Sequence, residues 1–177
     1  GTSVILGPGA IGLCAMMECK ALGSGRVIMV GRGSKLEKAR EMGADVCIDF
    51  EIEDPVRRVL ELTGGVGADE VMECSGAVDS PMKACKMVRK TGSVAIIATY
   101  HSDEVLIPAN TVNFNEIHIV GSKANPNVSD QALHMISSGA IQAENLISHV
   151  FSLEEYEKAV DVFENKKDGS LKVVIHP

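Results

Sequence analysis

The run Ser3-Val4-Ile5-Leu6-Gly7-Pro8-Gly9-Ala10-Ile11-Gly12-Leu13 sets a glycine-rich turn between a short apolar strand and a helix that reads as amphipathic. The glycines fall at the G-x-G-x-x-G spacing, and each has its own physical task. Gly7 lets the backbone leave the strand sharply, Gly9 lets it approach a diphosphate closely, and Gly12 lets the helix lie tightly on the sheet. Free amides at the helix start, aligned with the helix dipole, then favour a bound anion. Glycine spacing alone is a weak signal. The strand before it and the helix after it make the dinucleotide reading.

The rest of the chain continues the alternation. Strands are expected at Arg26–Val30, Val46–Asp49, Glu70–Glu73, Ser93–Ala98 and Ile117–Val120. Between them lie helices from Ala10 to Leu22, from a Ser34 cap to Met42, from Asp54-Pro55 to an end in Thr63-Gly64-Gly65, and over Ala77–Arg89. Thr91-Gly92 reads as the exit of the last of these, and the section between Ala98 and Ile117 as irregular. Such alternation predicts an α/β fold, a doubly wound parallel sheet with strand order 3-2-1-4-5-6. Asn125-Pro126-Asn127 reads as a break, followed by a helix at Ser129–Ser138, a strand at Ile147–Phe151, a Ser152–Glu155 capping box opening a helix to Phe163, and a strand at Leu171–Ile175. We therefore expect a Rossmann domain over 1–122 and a short C-terminal α/β extension over 123–177.

Composition narrows the function classes. A net charge of −7 with dispersed Lys and Arg argues against nucleic acid as a partner. No apolar stretch has the length of a membrane span, and no signal peptide precedes the first strand, so a cytoplasmic setting is expected. The start at Gly1, without an initiator Met, reads as a fragment. Cys14, Cys19, Cys47, Cys74 and Cys85 contain no C-x-x-C pair and fall in apolar patterns, which predicts buried free thiols in a reducing compartment. The histidines are dispersed and show no zinc-ligand spacing, so no metal site and no catalytic residue is expected within these residues.

Several stretches resemble the coenzyme-binding half of medium-chain zinc-type alcohol and polyol dehydrogenases. They are Gly7–Gly12, Lys38-Ala39-Arg40-Glu41-Met42-Gly43-Ala44-Asp45, Val71-Met72-Glu73-Cys74-Ser75-Gly76, Ile147–Glu154 and Gly169–Val174. The sorbitol, threonine and butanediol dehydrogenase branch is the most similar. The resemblance implies that Gly7, Pro8, Gly9, Ala10 and Ile11 line the pyrophosphate of NAD or NADP, with Ile11 also on the nicotinamide side. It further implies that Cys74, Ser75 and Gly76 sit by the adenosine half, and that Ile97, Ala98, Thr99, Ser122 and Lys123 lie near the nicotinamide. Lys172 stands where relatives place a basic residue against the phosphates or ribose. The resemblance also implies hydride transfer between the nicotinamide and a secondary alcohol or polyol. The catalytic zinc would be held by side chains upstream of Gly1, and a homodimer or tetramer would form through the edge of strand six. Two alternatives remain open: a zinc-free quinone or enoyl reductase, and a non-catalytic dinucleotide sensor.

The phosphate state of the cofactor has its own signature. An NAD fingerprint places Asp or Glu at the end of the second strand. Here that place holds Gly31, followed by Arg32, Gly33, Ser34 and Lys35. Without a carboxylate to repel it, a 2′-phosphate gains charge-assisted bonds from Arg32 or Lys35 and a hydroxyl from Ser34. NADP is slightly favoured over NAD.

Overall fold

In the computed structural model, which describes residues 1–102, 104–124 and 127–177, six parallel strands form one sheet. They are β1 (Thr2–Leu6), β2 (Arg26–Gly31), β3 (Val46–Asp49), β4 (Ala68–Glu73), β5 (Val88–Ile96) and β6 (His118–Gly121), in the order β3-β2-β1-β4-β5-β6. The expected reversal of strand order on either side of β1 is therefore present. The connecting helices are α1 (Ala10–Ala21), α2 (Gly33–Glu41), α3 (Pro55–Leu62), α4 (Ser80–Met87) and α5 (Ala109–Phe114).

Alternate side chains of the same strands build two cores. Val4, Leu6, Ile28, Val30 and Val71 point to one face, where Val59 of α3 and Ala84, Cys85 and Met87 of α4 cover them. Ile5, Val27 and Met29 point to the other, under Leu13 and Met16 of α1 and Leu36 and Ala39 of α2. Coverage of both faces explains why these strands read as unbroken apolar runs rather than alternating ones. Asp54 caps α3, its Oδ1 accepting from the Arg57 amide at 2.9 Å, with Pro55 at the first helical position.

Beyond β6 come α6 (Ser129–Ser137), β7 (Ile147–Ser152), α7 (Tyr156–Glu164) and β8 (Lys172–His176); β7 and β8 form a separate two-stranded parallel sheet. Leu146 is buried in the same core as Leu13 and Met16, and Ile141 and Leu171 pack against it. The break read at Asn125-Pro126-Asn127 falls, in its first two residues, outside the described residues.

Several local expectations are corrected. The cap of α2 is Arg32, in extended conformation, and Ser34 lies inside the helix without a capping bond. Val88–Gly92 belongs to β5 rather than to α4, because Val88 pairs with Ala68. The section read as irregular contains α5. Ser152 makes no side-chain capping bond, and a 3-10 turn over Leu153–Glu155 precedes α7. Cys14 is exposed, unlike the other four thiols, so the solvent stripe of α1 carries Ile11 and Cys14 and the helix is less amphipathic than its sequence suggests.

Candidate nucleotide-binding site

The glycine turn lies where β1 delivers the chain to α1. Gly7 has φ +100°, and a Cβ there would come within 2.8 Å of the Ser75 Cα. A Cβ on Gly12 would stand 2.0 Å from the Gly7 carbonyl oxygen, so no larger residue fits. Gly9 differs from both. Its φ of −77° suits any residue, and a Cβ there would meet no described atom within 4 Å. The protein thus has a structural need for glycine at 7 and 12 but none at 9, where open space lies over the backbone.

That space is bordered by the start of α1. Its first intrahelical bond runs from the Leu13 amide to the Gly9 carbonyl at 2.9 Å, which leaves the amides of Ala10, Ile11 and Gly12 ahead of it. No side chain caps this end. An anion fits here on charge and on space. Beside the turn opens a cleft of about 380 Å³ lined by Leu6, Gly7, Val30, Phe50, Pro55 and Ser75, among others. The walls are mainly apolar, as a planar aromatic base requires.

Gly31 is buried, and a Cβ there would come within 2.4 Å of both Pro8 Cδ and Cγ. The proline of the turn therefore occupies the volume that a carboxylate at the end of β2 would need. Arg32 is exposed; its guanidinium lies 5.6 Å from the Phe50 ring centroid and 2.5 Å from a Glu51 carboxylate oxygen. Arg32 does not itself line the cleft but reaches Phe50, which does. Ser34 and Lys35 line a separate polar hollow of about 350 Å³ with Lys38, Ser148, Gly169 and Leu171. Lys172 is exposed at the start of β8, near enough to α1 to favour the Cys14 thiolate, although burial and Glu18 leave that thiol raised on balance.

On the other side of the turn, β4 ends in Glu73-Cys74-Ser75-Gly76. Cys74 is half-buried, and burial pushes its thiol up to about 12. Glu73 is fully buried. Its Oε1 accepts from the Ser75 amide at 2.8 Å, the Ser75 hydroxyl at 2.5 Å and the Gly76 amide at 3.1 Å, and its Oε2 accepts from the Tyr100 hydroxyl. Ile97 and Ala98 are half-buried and donate their amides to the Glu73 carbonyl, both at 3.0 Å. Thr99 is exposed beside them. Ser122 and Lys123 are exposed after β6, Ser122 donating its amide to the Ile96 carbonyl at 2.9 Å. The sequence reading missed Glu73 and Tyr100, because an acid closing a strand is ordinarily solvated. The signal that could have found it is an acid closing a strand, with Ser and Gly two and three residues on.

The profile of the zinc-binding dehydrogenases matches residues 10–138. The chain belongs to this family. It is 34% identical to the sorbitol dehydrogenase of Halalkalibacterium halodurans over 178 residues, covering 98% of this chain and 51% of that protein. It is 33% identical to the L-threonine 3-dehydrogenase of Bacillus subtilis, covering 100% and 51%. Among solved structures, the alcohol dehydrogenase TADH of Thermus sp. ATN1 superposes with TM-score 0.91 at 29% identity, over 99% of this chain and 51% of that one. A Sinorhizobium meliloti 1021 protein described as a zinc-binding dehydrogenase and solved bound to NADP gives 0.90 at 30%, over 99% and 52%. The chain thus spans about half the length of the relatives it matches. Among the described residues no helix is long and apolar enough to cross a membrane, and no three His, Cys, Asp or Glu side chains group to hold a metal ion.

Proposed function

We propose that this chain is the nicotinamide-dinucleotide-binding portion of a zinc-dependent dehydrogenase. The diphosphate lies over Gly9, against the amides that open α1. The adenosine enters the cleft between Phe50 and Ser75, and the nicotinamide lies toward Ile11, Ile97–Thr99 and Ser122–Lys123. Lys172 adds positive charge on the α1 side. The bound nicotinamide supplies the hydride acceptor or donor. The chain's own part is to bind, to orient and to exclude water. In this reading the whole enzyme interconverts a secondary alcohol or polyol and its ketone, and the zinc ligands come from outside these residues.

The observation that carries the proposal is the contrast among the three glycines: two are closed by protein atoms and the third is open. It yields a direct test. Gly9→Ala adds one methyl group into empty space, so stability should stay within about 0.5 kcal/mol, as for substitutions away from packed features. Nucleotide affinity should fall at least tenfold, about 1.4 kcal/mol. Calorimetric titration with NAD and NADP that finds unchanged affinity in this variant overturns the reading.

We further infer a preference for NADP, supported by the closure of position 31 by Pro8 and by the guanidinium of Arg32 beside the cleft. NAD binding tenfold tighter than NADP refutes it. Pairing of two copies through β6 is supported by its place at the end of the sheet order and by exposed Val120 and Phe114 nearby in sequence. Sedimentation showing a monomer at high concentration refutes it. Five free cysteines favour a reducing cytoplasm.

A further inference from the structure

We propose that Glu73 is a positioning residue that couples the adenosine side of the site to the nicotinamide side. The proposal rests on the dinucleotide reading above. Three segments meet at this one side chain and its own backbone. The turn after β4 hangs on Oε1 through the Ser75 amide, the Ser75 hydroxyl and the Gly76 amide. The segment after β5 hangs on the Glu73 carbonyl through Ile97 and Ala98, and on Oε2 through the Tyr100 hydroxyl. The glycine turn leans on the same unit, since Gly7 abuts the Ser75 Cα.

A carboxyl group with no exposure is costly unless both of its oxygens find hydrogen-bond donors. Here four donors satisfy it, and they come from two loops 24 residues apart in sequence, at positions 76 and 100. The arrangement is therefore stable only when both loops hold their places together. Loss of either set leaves a buried side-chain oxygen without a partner, which ties the two loops into one unit. Packing agrees with the bonds. Gly76 has φ +70°, and a Cβ there would come within 2.9 Å of the Thr99 carbonyl oxygen, so the loops also touch directly. Tyr100 is held with its proton on: burial first, then its bond to Glu73, raises its hydroxyl above the ordinary phenol range. It is therefore a donor to Glu73 at neutral pH.

The functional consequence concerns order of assembly. A diphosphate settling on the glycine turn presses on Gly7 and so on Ser75. Glu73 passes that constraint to Ile97–Tyr100, so the nicotinamide side is ordered by the other half of the molecule before the ring arrives. Arrest of a loop by a ligand that does not contain the recognised group is coupling between two parts of one site.

The experiment uses ADP as the probe, because it carries the adenosine and diphosphate but no nicotinamide. Amide hydrogen exchange is followed residue by residue on the 177-residue chain, on Tyr100→Phe and on Glu73→Gln. Tyr100→Phe removes only the hydroxyl. Glu73→Gln keeps an oxygen for Ser75 and Gly76 and a polar partner for Tyr100. In the unaltered chain, saturating ADP should slow exchange at Ile97 and Ala98 at least tenfold. That slowing should drop below threefold in Tyr100→Phe, with protection at Gly9–Gly12 retained, and persist in Glu73→Gln. Protection of Val4–Leu6 and Val27–Val30 reports an intact sheet in each variant, so loss of fold cannot imitate loss of coupling. Equal slowing at Ile97 and Ala98 in Tyr100→Phe overturns the coupling while leaving nucleotide binding in place. Absence of any ADP protection at Gly9–Gly12 in the unaltered chain overturns the dinucleotide reading, and the coupling with it.

Discussion

Installing the acid of an NAD fingerprint at position 31 should damage this site rather than convert it. In Gly31→Asp the new Cβ would stand 2.4 Å from two ring carbons of Pro8, where ordinary contact begins near 3.4 Å. Relief needs a displacement of about 1 Å, and neither party yields cheaply. Position 31 is pinned in β2 by its pairing with Asp49, and the proline ring is rigid and forms part of the glycine turn. Overpacking of this kind costs about 1–3 kcal/mol. With an m-value of about 2 kcal/mol per molar, the urea midpoint should fall by about 1 M. On the proposed reading, affinity for NAD and NADP should fall together, because the displaced residue belongs to the glycine turn. The companion substitution Pro8→Ala removes the two offending carbons, and in that background Gly31→Asp should recover most of the stability and turn preference toward NAD. A double-mutant cycle read by urea unfolding and calorimetric titration measures the coupling, expected at 1 kcal/mol or more, about the size seen for residues in contact. Should Gly31→Asp alone keep its midpoint and bind NAD more tightly than the parent, the steric argument is wrong.

Asp54→Ala removes the cap of α3 and should cost about 1 kcal/mol in urea unfolding, with nucleotide affinity unchanged because the cap bonds only Arg57. Acid should weaken the fold through two carboxylates. The Lys20 hydrogen bond holds Asp45 below the usual carboxylate range, and that of Arg89 does the same for Asp69. A folded value below the unfolded one gives stabilisation that is present above about pH 4 and is lost as pH falls through the folded value. Both pairs are well solvated, so each contributes under about 1 kcal/mol; Asp45→Asn with Asp69→Asn should flatten the fall in urea midpoint between pH 5 and pH 3, and an unchanged slope refutes the assignment. Iodoacetamide at pH 7.5 should label Cys14 first and slowly, since it is the exposed thiol yet raised above its ordinary value, while Cys19, raised to about 11, and Cys74, raised to about 12, resist. Peptide mass spectrometry that finds Cys74 labelled ahead of Cys14 contradicts this order.

What the sequence revealed and what it hid follow from where each feature is encoded. The glycine turn was legible because its requirements are backbone requirements, and only glycine meets them at positions 7 and 12. The sheet order was legible because strands buried on both faces announce themselves as apolar runs separated by helical stretches. The α4–β5 boundary was not. Val88-Arg89 continues the apolar spacing of the helix, and only pairing with Ala68, across a register shift between Ala68 and Glu70, draws it into the sheet. Thr91 accepts a left-handed φ of 57° to stay there, its amide bonded to the Asn115 carbonyl at 2.8 Å. Helix α5 is six residues of Ala-Asn-Thr-Val-Asn-Phe, too short to show a period, and it is anchored by Val112 against the core.

The site divides along the same line. Its floor is backbone, and sequence spacing predicts backbone. Its selectivity and its internal bracing are side-chain matters between residues far apart in the chain, such as Pro8 against Gly31 and Tyr100 against Glu73. Spacing rules carry no information about such pairs. Position 31 shows the difference most clearly. From sequence, its glycine is a missing carboxylate and so an argument about cofactor charge. In the structure it is first a steric partner of Pro8, whose ring fills the space that a side chain at 31 would take. A side chain at the end of β2 therefore needs a change at Pro8, the second residue of the glycine turn, before it can be accommodated.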